Sequence, residues 1–321
     1  MKILITGVAG FIGFHVAEEL LKNKNYRIIG IDNLDSYYSL SLKRKRLSIL
    51  KKKSNFQFKK YNIINCKHIQ RLHKNNFDHI FHFAAQAGVR NVAHEPKKYI
   101  DVNISGFFNI LQLVLNNKPK KFFYASSSSV YGDSKNYPSK EIHDMNPKNI
   151  YGLSKKFNEE LVKIYSQNIP TKFIGLRFFT VFGEWGRPDM LLISFFIKVK
   201  KRLKFSIHNY GNHVRDFTYI YDAVRVIKRL LIIKNLPKHI ILNICSSKPI
   251  RLKLVIKKLK NLTNYNFFKY TKYNKAEVIK TYGSNKKLLK LIGNFKFTNF
   301  NEGLKNTYSW FLKNTNYLIK K

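Results

Sequence analysis

The chain has 321 residues, 44% of them hydrophobic and 15% aromatic, which predicts a globular protein with a sizeable core and excludes a disordered chain. Its two cysteines, Cys66 and Cys245, fit neither a disulfide framework nor a metal-ligand spacing, and favour a reducing cytoplasm. Because no uncharged stretch reaches about 18 apolar residues, we expect no membrane-spanning segment.

The formal net charge is +42, from 60 Lys and Arg against 18 Asp and Glu. Such a charge first suggests nucleic acid or an anionic membrane surface. The basic residues are spread over the whole chain, for example at 43–46, 51–53, 198–204 and 257–260, and form no single stripe. Lys, Asn, Ile, Phe and Tyr also share AT-rich codons, so compositional drift explains the charge, and we expect neither partner.

In chain order, residues 2–6 are predicted to form a buried strand, 10–22 a helix and 26–31 a second strand. Further strands are predicted at 56–61, 79–83, 121–125, 172–177 and 240–244, and long helices at 101–116 and 151–167. This alternation predicts an α/β fold, a Rossmann-type doubly wound parallel sheet with a smaller C-terminal substrate-binding lobe. The two long helices are candidate surfaces for a homodimer.

Three glycines, Gly7, Gly10 and Gly13, lie where the first strand turns into a helix. Residues without Cβ allow a tight turn, a close approach of a pyrophosphate and packing of helix on strand. Asp32, at the end of the second strand, would accept a hydrogen bond from a ribose 2′-OH and repel a 2′-phosphate, so the pattern favours NAD over NADP. Alternatively, Asp32 only caps the following loop.

The domain organisation follows from this cofactor site. Residues 1–179 are predicted to be an NAD-binding Rossmann domain. Residues 180–321 are predicted to form mainly the substrate lobe, because the strand and helix pattern loosens there. A return strand near 239–245 is expected to rejoin the Rossmann sheet.

A tyrosine and a lysine four residues apart, Tyr151 and Lys155, would share one face of a helix. There an ammonium group can stabilise tyrosinate and bring the pKa of the phenol below its ordinary value of about 10. Ser127 precedes them in a run of four serines, residues 126–129. With the glycine turn, these residues predict a hydride-transfer site, although the run leaves open which serine contacts the substrate.

Five segments carry a family resemblance: residues 84–90, 126–132, 177–183, 185–190 and 215–219. Over nearly its whole length the chain resembles the extended short-chain dehydrogenase/reductases, and within them the UDP-glucuronate 4-epimerases. The resemblance implies that Tyr151 is the base, that Lys155 binds the nicotinamide ribose and lowers the tyrosine pKa, and that Ser127 hydrogen-bonds the sugar O4.

The expected contacts complete the site. Cofactor contacts are expected from Gly7, Gly10, Phe11, Ile12, Gly13, Asp32, Asn33, Asn62, Ile63, Ala84, Ala85, Asn103, Tyr151 and Lys155. Substrate contacts are expected from Gln86, Arg90, Ser128, Thr180, Arg187 and Arg215. Arg215 would bind the diphosphate, while Arg187 and Thr180 would hold a C6 carboxylate, unless Arg187 pairs structurally with Asp189. No metal site is expected.

The implied reaction is NAD-dependent 4-epimerisation of a UDP-sugar through a 4-keto intermediate, with UDP-glucuronate and surface-polysaccharide synthesis favoured. Related dehydratases carry acidic residues after the catalytic hydroxyl, whereas this chain has Ser128 and Ser129, which cannot do that acid–base work. Two alternatives stay open: a 4-epimerase for UDP-glucose or UDP-N-acetylglucosamine, and a non-catalytic nucleotide- or RNA-binding protein on the same fold.

Overall fold

A seven-stranded, all-parallel sheet forms the centre of the protein in the computed structural model, which describes residues 1–88, 95–134, 136–273 and 277–319. The strands are β1 (Lys2–Thr6), β2 (Arg27–Ile31), β3 (Phe56–Lys59), β4 (His79–His82), β5 (Lys121–Ser127), β6 (Lys172–Phe178), β7 (Thr180–Phe182), β8 (Phe205–His208), β9 (Val214–Tyr219), β10 (His239–Ile244), β11 (Pro249–Arg251) and β12 (Phe268–Thr271). The order in the central sheet is β10-β6-β5-β4-β1-β2-β3. This confirms the predicted Rossmann-type fold.

Nine α-helices precede the last strand in the described part of the chain, and three follow it. They are α1 (Phe11–Leu20), α2 (Leu40–Lys51), α3 (Cys66–Gln70), α4 (Pro96–Ile100), α5 (Gly106–Asn117), α6 (Ile150–Tyr165), α7 (Leu191–Lys200), α8 (Ile220–Ile232), α9 (Leu252–Thr263), α10 (Lys286–Ile292), α11 (Phe300–Asn314) and α12 (Asn316–Ile319). Within the described ranges, none is long and apolar enough to cross a membrane.

Alternating side chains of the strands supply the core on both faces of the sheet, because successive residues of a strand point to opposite sides. Ile3 and Phe123 are buried in one hydrophobic cluster, which includes residues of α1, α2 and α8. Leu4 and Phe122 are buried in the other, with residues of α5 and α6. The helices therefore cover both faces, as a fully buried parallel sheet requires.

The predicted helix at 101–116 differs from the structure in one respect. The helical run extends from α4 to α5, and a π turn at Asp101–Ser105 lies between them. The four-residue periodicity of the sequence does not reveal a π turn, which widens a helix locally and is frequent at functional sites.

Two small sheets build the C-terminal lobe. One has the order β11-β9-β7, and the other pairs β12 with β8. The return strand expected near 239–245 is β10, which pairs in parallel with β6 at the edge of the central sheet. The carboxyl ends of the central strands and the lobe together surround the site described next.

Candidate active site

A cavity of about 280 Å³ lies at the carboxyl ends of the central strands. Among the predicted residues it is lined by Gly7, Gly10, Phe11, Ile12, Gly13, Asp32, Asn33, Asn62, Ile63, Ala84, Ala85, Gln86, Ser127, Tyr151, Lys155 and Arg187. In open parallel sheets, ligands bind at this edge, where the strand order reverses. The reversal falls here between β1 and β4.

The glycine turn has the shape that close approach of a dinucleotide requires. Gly7 has φ +69°, and a Cβ there would lie 2.6 Å from the backbone nitrogen of Ala84. A Cβ on Gly13 would lie 2.3 Å from the carbonyl oxygen of Gly7. Only glycine fits at both positions. Among the described residues, no side chain caps α1 at Gly10. The first N–H groups of the helix are therefore left for an anion, and the turn fits a pyrophosphate.

Asp32 lies at the end of β2 and is largely buried. Its carboxylate accepts hydrogen bonds from the backbone N–H of Ala9 at 3.1 Å and of Leu34 at 2.8 Å. Burial raises the pKa of Asp32, and the positive charge of Lys43 opposes that shift. The carboxylate thus caps the following loop and also lines the cavity, where its remaining lone pairs suit a ribose hydroxyl.

Tyr151, Ser127 and Lys155 meet at the other end of the cavity. The side chain of Ser127 is hydrogen-bonded to the Tyr151 phenol, and Lys155 Nζ lies 6.0 Å from the centroid of the Tyr151 ring. Burial lowers the pKa of Lys155 to about 8, and the charge of Glu159 opposes that shift. Lys155 is therefore mostly an ammonium at neutral pH.

The predicted direction of the Tyr151 pKa is wrong for this structure. Burial raises that pKa, because it disfavours the phenolate. The hydrogen bond with Ser127 and the charge of Arg187 oppose the shift without reversing it. Sequence spacing placed the ammonium beside the phenol but carried no information on how deeply the phenol is buried.

The structure separates the serines of the run. Ser127, at the end of β5, lines the cavity with Tyr151. Ser126 also lines the cavity, but its hydroxyl donates to Glu159 Oε1 behind the strand. Ser128 begins a 3-10 turn and does not line the cavity. Of these three hydroxyls, only that of Ser127 is hydrogen-bonded to Tyr151.

Asn103 lies in the π turn and joins two parts of the site. Its Oδ1 accepts from the backbone N–H of Gln86 at 2.8 Å, and its Nδ2 donates to the Gln86 carbonyl at 3.0 Å and to Ser154 Oγ at 3.1 Å. Asn103 thereby ties the loop after β4 to α6, which carries Tyr151 and Lys155. It positions the cavity wall without lining it.

Arg187 reaches the cavity and also pairs with Asp189. Its Nε and Nη2 donate to the two carboxylate oxygens of Asp189 at 3.0 and 2.5 Å. Its guanidinium carbon lies 5.5 Å from the ring centroid of Tyr37, another residue of the cavity wall. From the sequence, pairing with Asp189 and contact with the substrate were alternatives for Arg187. In the structure Arg187 pairs with Asp189 and also lines the cavity.

A second cavity, of about 190 Å³, lies beside the first in the C-terminal lobe and includes Arg215, Lys198 and Glu277 in its lining. Arg215 Nη1 donates to the carbonyl oxygens of Val214 at 2.9 Å and Ile279 at 3.0 Å. These backbone contacts fix the guanidinium in a wall that also carries Lys198.

Two other predicted substrate contacts lie elsewhere or cannot be placed. Thr180 lines the second cavity with Arg215, whereas Arg187 lines the first, so the structure does not bring Thr180 and Arg187 into one wall. Arg90 lies outside the described residues.

Several residues of the site were missed by sequence reasoning. Tyr37, Tyr38 and Lys43 line the cavity beyond Asp32, in a region where the sequence shows no motif. Behind β5, the buried carboxylate of Glu159 pairs with Arg177 Nη2 at 2.7 Å. The sequence does carry a signal for Glu159. It follows Lys155 by four residues, as Lys155 follows Tyr151, so all three residues lie on one face of α6.

Comparison with known proteins identifies the family. The model of the NAD dependent epimerase/dehydratase family matches residues 3–245. The chain belongs to this family. The predictions of an NAD-dependent isomerase and of NAD as its cofactor are confirmed by the family and its relatives.

Relatives within the epimerase/dehydratase family match nearly the whole chain. The UDP-glucuronate 4-epimerase of Thermodesulfobacterium geofontis is 34% identical over 314 residues, 97% of this chain and 96% of that protein. The crystal structure of UDP-glucuronic acid 4-epimerase from Bacillus cereus, in complex with UDP-glucuronic acid and NAD, is 30% identical with a TM-score of 0.91, covering 98% and 99% of the chains. UDP-glucose 4-epimerase of Thermotoga maritima, with UDP-glucose, is 28% identical with a TM-score of 0.88, covering 98% and 100%.

Proposed function

We propose that this enzyme interconverts UDP-glucuronate and UDP-galacturonate at C4 of the sugar, with Tyr151 as the base. The observation that carries the proposal is one cavity that holds the glycine turn, the Ser127–Tyr151–Lys155 group and Arg187. A cofactor cradle, a proton-transfer group and a cation for the sugar are the three parts that such a reaction needs.

Each side chain has a definite task in the proposed reaction. Tyr151 takes the proton of the C4 hydroxyl and later returns a proton to O4 of the 4-keto sugar, when C4 regains a hydride on the opposite face. Ser127, hydrogen-bonded to the phenol, orients the O4 atom. Lys155, as an ammonium, stabilises the phenolate that proton uptake requires. Bound NAD⁺ would accept the hydride from C4 and give it back, so the overall reaction is redox-neutral.

Arg187 supports an acidic sugar. Asp189 occupies Nε and Nη2, which leaves Nη1 as the guanidinium nitrogen for a C6 carboxylate. The side chain is only 15% exposed, so a charge-assisted hydrogen bond there would be little screened by water. The second cavity would take the nucleotide diphosphate, with Arg215 and Lys198 as its cations.

The pairing of Arg187 with Asp189 also favours a second candidate. A carboxylate held by two hydrogen bonds neutralises much of the guanidinium charge, and a neutral pair suits a sugar with a hydroxymethyl group at C6. The second candidate is therefore 4-epimerisation of UDP-glucose or its N-acetylated form.

We also propose that the enzyme is a homodimer. Large apolar side chains are exposed along α5 and α6: Phe108 at 37%, Leu153 at 53%, Phe157 at 45% and Ile164 at 65%. Adjacent exposed apolar residues of this size favour burial against another chain. Light scattering on the purified protein should give twice the 37.9 kDa chain mass, and Phe157→Glu should reduce it to one chain.

The free thiols support the proposed cytoplasmic location. Cys66 is exposed, Cys245 is buried, and neither forms a disulfide. An exposed free thiol is suited to a reducing compartment.

The test is incubation of purified protein with UDP-glucuronate, without added cofactor, followed by NMR of the anomeric proton. We expect UDP-galacturonate to appear, and Tyr151→Phe to abolish it. Arg187→Ala should lower turnover of UDP-glucuronate by about tenfold or more relative to UDP-glucose, because the lost contact is specific to the carboxylate.

Other outcomes of the incubation would contradict the proposal. Turnover of UDP-glucose or UDP-N-acetylglucosamine without turnover of UDP-glucuronate would establish the second candidate. No turnover of any of these sugars, even with NAD⁺ added, together with steeply salt-dependent RNA binding, would support a non-catalytic protein.

A further inference from the structure

Arg46 is a fully buried arginine whose three hydrogen-bond partners are neutral. Its Nη1 donates to the carbonyl oxygen of Ala9 at 2.7 Å and to the hydroxyl of Tyr38 at 2.8 Å. Its Nη2 donates to the carbonyl oxygen of Trp185. The side chain is 0% exposed, and Nε has no partner among the described residues. The Asp32 carboxylate interacts with this cation through charge, but no carboxylate among the described residues is hydrogen-bonded to it. A buried cation without a hydrogen-bonded carboxylate is costly, so its retention calls for a role.

The partners of Arg46 belong to two different parts of the site. Ala9 lies between Gly7 and Gly10 in the cofactor turn, whereas Trp185 lies two residues before Arg187. One guanidinium group therefore connects the backbone that approaches the cofactor to the backbone that carries the proposed sugar-binding arginine. The fork of Arg allows this, because its two terminal nitrogens donate in different directions.

The segment that Arg46 holds, residues 183–187, is a strained turn. Trp185 has φ +57°, a left-handed conformation that is rare for a bulky residue. Its ring is fixed by edge and tilted packing against Phe14 at 5.5 Å and Trp310 at 5.0 Å. A strained conformation persists only where its surroundings determine it, and the hydrogen bond from Arg46 is part of those surroundings.

We propose that Arg46 is a positioning residue: by holding the strained turn at 183–187 against the cofactor turn, it places Arg187 and so sets the selectivity for an acidic sugar. This inference rests on the proposed function of Arg187. Loss of the hydrogen bonds of Arg46 would let the turn at 183–187 relax and move the Arg187 guanidinium away from the carboxylate of the sugar. A displacement of about 1 Å at a contact residue is enough to weaken binding strongly.

The test compares the dissociation constants of UDP-glucuronate and UDP-glucose by calorimetry, on NAD⁺-loaded protein in a Tyr151→Phe background that blocks turnover. In Arg46→Met, we expect the preference for UDP-glucuronate to fall by about fivefold or more, with little change in UDP-glucose binding. Arg44→Met removes the same charge from an exposed position of the same helix and should leave the preference unchanged. Arg46→Lys keeps the charge without the fork and should give an intermediate preference.

A folded Arg46→Met protein whose preference for UDP-glucuronate over UDP-glucose falls by less than about fivefold would overturn the inference. Equal loss of affinity for both sugars would also overturn it, because a merely structural role predicts that result. If Arg46→Met does not fold, the binding preference of Arg46→Lys is the test. An unchanged preference for UDP-glucuronate in Arg46→Lys would refute the positioning role of Arg46. If the Tyr151→Phe protein with Arg46 intact shows no preference, the proposed function of Arg187 fails first, and the inference fails with it.

Discussion

The buried pair behind β5 gives the sharpest prediction on stability and chemistry together. Glu159 and Arg177 are each 3% exposed, and the carboxylate accepts from Arg177 Nε at 3.0 Å and Nη2 at 2.7 Å. It also accepts from Ser126. Glu159→Gln keeps the shape of the side chain but replaces one oxygen with an NH₂ group that faces a donor of Arg177. The guanidinium then remains buried without a countercharge.

The magnitude follows from the burial of both partners. Breaking a buried ion pair by changing one side costs about 3–5 kcal/mol. An unfolding entropy of about 2.1 cal/mol/K per residue, over 321 residues, converts each kcal/mol into about 1.5 °C. We therefore expect Glu159→Gln to lower the melting temperature by roughly 5–7 °C.

The same substitution should change the pH dependence of activity. The charge of Glu159 raises the pKa of Lys155, which burial has lowered to about 8. Without that charge Lys155 loses its proton at a lower pH. The decline of epimerase activity with rising pH should then begin at a lower pH than in the unmodified enzyme, because the proposed reaction requires the ammonium.

The assay is thermal unfolding at saturating NAD⁺, with a pH–rate profile on the same proteins. Glu160→Gln is the matched control, since it makes the same change at the exposed neighbouring position of α6. It should change the melting temperature by less than about 1 °C. Equal melting temperatures of Glu159→Gln and Glu160→Gln, or coincident pH–rate profiles of the two variants, would refute the assigned role of Glu159.

Three further predictions follow from the site and the charge. Lys155 has a pKa of about 8 in the folded protein, against an ordinary value of 10.5. Between these pH values the unfolded chain binds more protons than the folded protein, so the free energy of unfolding should rise with pH. Lys155→Met should be inactive, and its melting temperature should lack this rise. Gly13→Ala places a Cβ 2.3 Å from the Gly7 carbonyl oxygen and should weaken NAD⁺ binding in calorimetry about tenfold or more. Gly293→Ala also strains the backbone, because Gly293 has φ +74°, but this glycine does not line the cavity and the substitution should leave NAD⁺ binding unchanged. With a net charge of +42, the melting temperature should rise with added salt, and a flat dependence would exclude self-repulsion.

The sequence predicted the central sheet well because its signals are local. Each strand is a short apolar run, and the glycine turn is recognisable from three residues without Cβ. Tyr151 and Lys155 were likewise found from their spacing on one helix. The residues that these signals identify lie in one cavity, since parallel strands bring their carboxyl ends to a common edge.

The missed features depend on contacts between distant parts of the chain. Arg46 and Trp185 are 139 residues apart, and nothing near either residue in sequence indicates their hydrogen bond. The same holds for Glu159 and Ser126, which meet only when α6 packs on β5. The π turn at Asp101–Ser105 was missed because it interrupts a helix by widening it, without a proline or a break in the apolar pattern.

The position of β10 has a consequence for how the chain can be divided. β10 pairs with β6 along six residues, from His239 opposite Phe173 to Ile244 opposite Phe178, yet the segment 179–238 separates the two strands. A fragment that stops at residue 179 would leave β6 as an open, apolar edge, which can recruit a strand from another molecule. The central sheet therefore needs the later part of the chain to be closed, and a protein shortened to residues 1–179 should aggregate.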